Sequence, residues 1–551
     1  MNRTKLLNAL CSLALLVSHQ SFGAKTPQID SNLGAKPMDV LFIAVDDMND
    51  WVEPLGGHSQ AITPNIQTLA DKGMLFTNAH VSSPACHPSR VALMTGVQPE
   101  KSGVKQNVFA KGEVTWRRSP ALKEATTLSQ HFRDNGYEAI AGGKIYHTLQ
   151  GNPSDENDYS TWDAIMPGDP KSGSPIAFQP RAKKRNVSRQ DEVGLSPNGI
   201  MAWAPMDVDS KQMADNKLVN WAIDELNKER DKPLFMAVGI FRPHLPWEVP
   251  KQFFDLYPID TVQVPEAVPN ELSHTYDHGR RHWHKWVADN NLWRSGVQAY
   301  LASISFADYE VGRLMAALEA SGRADNTIVV FWSDHGMHIG EKENWEKFTL
   351  FEESTRIPMI IVDPREKPGQ THAPSSSIDL FPTLIELTDT RDNTHQTLDG
   401  ESLADLVRGG HTDVQPAISS FQKVHSVRSL RYRYIFDQVN LIETLYDHNT
   451  DAQERINIAY TPAMRDVMQQ HRDLLTAQTG IVPPKAFNVP KGFEVDTRGM
   501  ITRRNFKPLH QVMYRIPGWW SDAKKSQAIE RLKAQQLPYV QEIQKRNQAI
   551  H

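Results

Sequence analysis

Cys86 opens the stretch Cys86-His87-Pro88-Ser89-Arg90, which runs on into Val91-Ala92-Leu93-Met94-Thr95-Gly96. The only other cysteine is Cys11, inside an N-terminal apolar segment. A single thiol at a helix start is either a small buried hydrophobe or a reactive group. The length of the frame around Cys86 favours chemistry. Two further groups stand out: Asp46-Asp47 and Asp334-His335. Three carboxylates and one imidazole suit a hard divalent cation, with Ca²⁺ the first choice. Zinc would call for more His or Cys. Taken alone, Asp46 and Asp47 could equally cap the turn that follows them.

The elements that must carry these groups are legible. Asp39 to Val45 is an almost continuous apolar run ending in the two aspartates, the pattern of a buried parallel strand. Thr327 to Trp332 does the same before Ser333-Asp334-His335-Gly336, and Leu234 to Phe241 before Arg242-Pro243-His244. Tyr137 to Ala141 and Met359 to Val362 are further strands. Helices are expected over Thr63 to Lys72, from Pro88 through Thr95 with Gly96 as the stop, over Leu128 to Asn135, and over Leu301 to Leu318. Strands alternating with helices imply a doubly wound α/β sheet with its site at the strand carboxyl ends. Tyr432 to Phe436 and Leu441 to Tyr446 suggest a smaller C-terminal sheet. Gln150 to Asn198 and Pro265 to Arg294 read as surface decorations, and a last helix is expected over Ser521 to Asn547.

The 551 residues carry a net charge of -5, which excludes bulk attraction to nucleic acid or an anionic membrane surface. An anionic substrate would need a local basic pocket. Arg3 and Lys5, the apolar stretch Leu6 to Val17 and the small residues of Ser21-Phe22-Gly23 read as an export signal cut after Gly23. No other stretch is long and apolar enough to span a bilayer. The product is expected to be periplasmic or secreted, organised as a leader (1–23), a catalytic α/β domain (24–400) and a smaller C-terminal subdomain with a tail (401–551).

Taken in order, Asp46-Asp47, Thr63-Pro64-Asn65, Cys86 to Arg90, Gly143-Lys144-Ile145-Tyr146-His147, Arg242-Pro243-His244, Ser333-Asp334-His335-Gly336 and Lys347 resemble the type I sulfatases. The iduronate-2-sulfatase branch is the nearest in pattern, and the likeness runs over about residues 38 to 460, reaching Leu445-Tyr446-Asp447-His448. It implies an alkaline-phosphatase-like fold: a doubly wound, mostly parallel sheet with a smaller C-terminal antiparallel sheet. It also implies that Cys86 is oxidised to formylglycine by a maturation enzyme. One Ca²⁺ would sit among Asp46, Asp47, Asp334, His335 and the modified Cys86. His335 departs from the Asn of many sulfatases but fits this branch.

On the same resemblance Asp334 accepts the first proton, Arg90 holds the aldehyde hydrate, and Lys144 and Lys347 clamp the sulfate. His244 and His147 are candidates for leaving-group acid and for base, in exchangeable roles. Cations beside flat rings are what an anionic sugar needs. Arg280, Arg281, His282 and Trp283 offer them, as does Trp116 with Arg117 and Arg118; a loop pinned to the core by its aromatics accounts for them equally well. The implied partner is a sulfated oligo- or polysaccharide. Phosphonate or phosphate diester hydrolysis on the same fold is the second reading, and a non-catalytic glycan binder the third. Nothing in the sequence sets an oligomeric state.

Overall fold

The structure is a computed structural model. It describes residues 36–107, 115–147, 158–166, 194–195, 201–266, 268, 271–275, 281–411, 413–484, 489–497 and 499–504. The expected leader (1–23), most of the 150–198 insertion and the helix expected over 521–547 lie outside them. The described residues from Met38 onwards form one compact unit.

Eight strands make the central sheet: β1 (Asp39–Asp46), β2 (Met74–Phe76), β3 (Glu138–Gly143), β4 (Ala164–Ile165), β5 (Leu234–Pro243), β6 (Thr327–Ser333), β7 (Met359–Val362) and β8 (Gly369–Thr371). Their order is β8-β2-β7-β6-β1-β5-β3-β4. β6, β1, β5, β3 and β4 run parallel, and β7 is antiparallel to both its neighbours. β1 is buried along its whole length, which is why its sequence is a continuous apolar run rather than an alternation.

The two faces of β1 enter separate cores. Leu41, Ile43 and Val45 pack with Ile66 and Leu69 of α1 (Pro64–Lys72), Leu218 and Val219 of α4 (Ala214–Leu226) and Leu301 and Ile304 of α6 (Trp293–Ala320). Val40, Phe42 and Ala44 pack with Val91, Leu93 and Met94 of α2 (Cys86–Thr95) and Leu128 and Phe132 of α3 (Leu128–Asp134). Helices therefore cover both faces, as expected for a doubly wound sheet. Four antiparallel strands, Ala417–Phe421, Val424–Arg428, Tyr432–Asp437 and Ile442–Asp447, form the smaller C-terminal sheet. It is backed by Met468 and Leu475 of α7 (Arg465–Thr479).

One expectation fails. Pro265 to Arg294 is not a surface decoration throughout, because it contains α5 (Arg281–Asp289), whose Trp283 and Val287 belong to the core. An alternating His/Trp/Lys sequence hides an amphipathic helix when its polar residues are aromatic or imidazole.

Four devices aim the strand ends. The pairing of β1 with β5 shifts register between Val45 and Asp46, and Asp47 takes a left-handed φ of 63°. Aspartate tolerates that conformation better than most residues. Gly143, at the end of β3, has φ 74°, and a Cβ there would lie 2.1 Å from the carbonyl oxygen of Gly239 on β5. A Cβ on Gly239 would in turn meet the Lys144 carbonyl oxygen at 2.2 Å. The two glycines thus let β3 and β5 approach where Lys144 leaves the sheet.

Candidate active site

The carboxyl ends of the parallel strands bring the chemistry together. β1 delivers Asp46 and Asp47, the turn after β3 Lys144 and His147, the turn after β5 His244, and the turn after β6 Asp334 and His335. Facing them is the first turn of α2. It begins at Cys86, two residues before the proline that the sequence suggested as its start, and ends at Gly96 in the left-handed conformation. Lys347 follows a two-residue strand, Trp345–Glu346, paired with His338–Ile339 just beyond the His335 turn. All but His244 are buried; its side chain is 24% exposed.

Ligand atoms of Asp46, Asp47, Cys86 and His335 all lie within 4.8 Å of one another, an arrangement able to hold one metal ion. His335 Nε2 is 3.2 Å from Cys86 Sγ, 3.3 Å from Asp47 Oδ1 and 3.6 Å from Asp334 Oδ2. Asp334, expected as a fifth ligand, sits at the edge of this group. Its Oδ1 accepts the Asp47 N–H at 3.0 Å and its Oδ2 accepts Arg90 Nε at 2.7 Å. Arg90 spans the floor. Its guanidinium also donates to Asp46 Oδ1 at 3.2 Å, to the Ile145 carbonyl at 3.1 Å and to the Lys144 carbonyl.

Lys144 and Lys347 rest on the carboxylates, Lys144 on Asp46 and Lys347 on both oxygens of Asp47 at 2.7 and 2.8 Å. Three buried carboxylates thus answer three buried cations, the condition for charge to persist away from water. A bound divalent cation would tip this balance to net positive, which an anionic ester group would partly offset.

The electrostatics favour a reactive position 86. Burial alone would raise the Cys86 thiol, but the ammonium groups of Lys144 and Lys347 and the His335 imidazole outweigh it and hold it well below its ordinary value. The start of α2 acts in the same direction. Burial would lower His335, yet the negative charges of Asp334, Cys86 and Asp47 push it up to about 9. His147 is lowered by burial, partly offset by its hydrogen bond to Cys86. His244 directs Nδ1 to the Leu245 carbonyl at 2.5 Å, leaving Nε2 3.9 Å from Asp47 Oδ2 at the open side.

The carbohydrate-binding expectations are met differently. Trp116 is 1% exposed, stacked on Tyr146 at 5.7 Å with the Arg117 guanidinium 4.4 Å from its centroid, so its ring offers no face to a sugar. Trp283 is buried, and its Nε1 donates to Glu346 Oε2 at 2.8 Å. Both tryptophans are corrections: they pack the protein, because a buried ring beside a cation looks the same in sequence as an exposed one. His282 is exposed on α5, Arg281 begins that helix, and Arg280 lies outside the described residues.

Sequence reasoning missed Tyr300, whose hydroxyl donates to the Asp47 carbonyl at 2.7 Å and accepts the Asn49 N–H at 3.0 Å. It also missed Ser333, which accepts the Met48 N–H at 3.0 Å. Tyr300 has no local signal, while Ser333 stands in the Ser333-Asp334-His335-Gly336 motif without any sign of its role. A cleft of about 1040 Å³ lined by Asp50, His58, Glu341, Glu353, Arg356 and His448 contains none of the expected catalytic residues. Glu352, His448 and Glu454 also cluster, but Arg433 pairs with both carboxylates, which makes the group an ion-pair network.

The sulfatase family model matches residues 38–390, and the C-terminal model of N-sulphoglucosamine sulphohydrolase matches 340–480. A sulfatase of Formosa agariphila is 33% identical over 439 residues, covering 76% of this chain and 83% of that protein. Human iduronate 2-sulfatase is 29% identical over 403 residues, covering 69% and 68%. The fold is shared with the phosphonate monoester hydrolase of Agrobacterium radiobacter, at a TM-score of 0.61 and 20% identity over 85% of this chain and all of that one. Fold and site therefore define a hydrolase of sulfuric esters. The chain belongs to the sulfatase family.

Proposed function

We propose that this sulfatase is exported and removes sulfate from a sulfated saccharide, using a formylglycine made from Cys86 and one Ca²⁺ held by Asp46, Asp47, Asp334, His335 and position 86. The observation that carries the reading is the convergence of Cys86, Asp46, Asp47 and His335 within 4.8 Å, walled by Arg90, Lys144 and Lys347. Once Cys86 is oxidised, the donor set is dominated by oxygen and fits Ca²⁺. When bound, the cation supplies fixed positive charge against the ester's developing negative charge. A hydrated aldehyde at position 86 supplies two hydroxyls, one to attack sulfur and one to expel sulfate.

The chain's own groups divide the remaining work. Lys144 and Lys347 hold the non-bridging oxygens, where preorganised cations count most as charge builds. Arg90 offsets negative charge beside position 86. Asp334 was expected to take the first proton, but it is engaged by Arg90 and the Asp47 N–H, which favours a role as the anchor of Arg90. His147, buried against Cys86 and lowered toward its neutral form, suits the base. His244, at the open side with Nε2 turned inward, suits the acid that protonates the leaving alcohol.

The likeness to iduronate 2-sulfatases supports a 2-O-sulfated sugar as substrate; on our reading the action is exo, on algal polysaccharides of carrageenan or ulvan type or on glycosaminoglycans. Sulfate release from a panel of defined sulfated oligosaccharides by fully matured enzyme tests this. Faster turnover of an aryl phosphodiester than of an aryl sulfate would instead favour the phosphate or phosphonate reading.

Asp46→Ala or Asp47→Ala is expected to abolish bound Ca²⁺ and activity together, while His335→Asn, which puts an amide oxygen donor in place of the ring nitrogen, loses less. Exhaustive chelation should silence the wild type and added Ca²⁺ restore it; full activity in the chelated protein would remove the metal from the reading. His244→Ala should cost about 10²–10⁴-fold on sugar sulfates, the usual contribution of general acid catalysis. An aryl sulfate, whose phenolate leaves without help, should lose far less. Equal losses on both would show that His244 is not the acid.

A further inference from the structure

Lys347 stands in an unusual stretch of backbone. Glu346 before it has φ 69° and Phe348 after it has φ 78°, both left-handed and neither glycine. Such conformations persist only where the surroundings over-determine them. Here the surroundings are identifiable. Trp345 is wholly buried, with Trp203 stacked 6.2 Å away and Trp247 at 6.1 Å. Its Nε1 donates to His284 Nδ1 of α5 at 3.2 Å. The next residue of the strand, Glu346, accepts Trp283 Nε1 of the same helix at 2.8 Å. On the far side the Phe348 N–H donates to the carbonyl of Pro84, two residues before Cys86, at 3.1 Å.

We propose that Trp283 and Glu346 are positioning residues for the sulfatase reaction: the indole–carboxylate hydrogen bond from α5 sets the backbone from which Lys347 reaches the site. This rests on the reading of Lys347 as a sulfate clamp. Consecutive residues of α5 grip consecutive residues of the strand, so neither Trp345 nor Glu346 can rotate without losing a buried bond. The bond also commits to α5 the carboxylate next in sequence to Lys347, leaving the ammonium to Asp47 and the substrate. A displacement of 1 Å at a reacting centre is enough to matter.

The test is a double-mutant cycle on the matured, Ca²⁺-loaded enzyme with an aryl sulfate, and melting temperature monitors the fold. Trp283→Phe keeps the ring and removes the donor. It should lower kcat about tenfold, the scale of one lost hydrogen bond to a charged group. Glu346→Ala should match it. Glu346→Gln, which retains an acceptor oxygen for the indole, should stay within about threefold of wild type, since neutral acceptors still bond. Lys347→Ala should cost about 10²–10³-fold, as for other preorganised donors to a developing charge. In that background Trp283→Phe should add nothing.

If Lys347→Ala is harmful but Trp283→Phe costs the same fold in both backgrounds, the positioning role is overturned alone. Glu346→Gln falling as far as Glu346→Ala overturns it too. If Lys347→Ala keeps wild-type turnover, the clamp reading falls and takes this proposal with it.

Discussion

Cys86→Ser should lower turnover by about 10⁴-fold or more, the scale seen when a nucleophile is removed and only binding and electrostatic groups remain. The change is nearly isosteric, and α2 is held by Val91, Leu93 and Met94 in the core rather than by the thiol. The fold should therefore stand. On the proposed mechanism, a serine at position 86 cannot become a hydrated aldehyde by the same maturation, so the variant would lack the second hydroxyl needed to expel sulfate. Arg90, Lys144 and Lys347 remain, and charge-assisted bonds to a sulfate group need only them. The variant should bind sulfated oligosaccharides in calorimetry and leave them uncleaved. Multiple turnover by Cys86→Ser would remove the aldehyde from the mechanism.

Arg90→Ala should be both inactive and unstable. The side chain is wholly buried and joins two carboxylates, Asp46 and Asp334, that are equally buried. Removing it leaves Asp46 with Lys144 but takes from Asp334 its guanidinium partner, at about 3–5 kcal/mol for a broken buried pair. Arg90→Lys should rescue little. A single ammonium cannot reproduce a planar fork that reaches Asp334, Asp46 and the carbonyls of Lys144 and Ile145 at once. Denaturant titration of the chelated protein checks the stability loss, with the Lys144 and Lys347 pairs intact as the reference. An Arg90→Ala protein as stable as wild type would mean that Asp46 and Asp334 find other partners or take up protons.

A strand buried on both faces needs no alternation, so Asp39–Asp46, Leu234–Pro243 and Thr327–Ser333, all parallel, stand out as apolar runs whatever surrounds them. The parallel arrangement then puts every polar group that follows such a run on one edge of the sheet. That is why the sequence alone groups Asp46, Asp47, His244, Asp334 and His335. Cys86 to Arg90 is equally local: a helix start, a thiol, and an arginine one turn on.

Other features depended on residues far apart in the chain. Lys144 reaches Asp46 across 98 positions and Lys347 reaches Asp47 across 300, and neither lysine differs in type from a solvated one. His147 lies against Cys86 and His244 at the mouth, a difference in depth that composition does not encode. For Trp116 and Trp283 the sequence left a sugar platform and a packing aromatic equally open, because a ring beside a cation has the same sequence whether its face is open or packed. The sequence by itself determined which groups arrive at the sheet edge and what chemistry they can do. The tertiary structure alone decided which cation answers which carboxylate and which rings are closed to solvent. Pairing and burial are set by how crossovers bring distant turns into contact, and no local pattern records that.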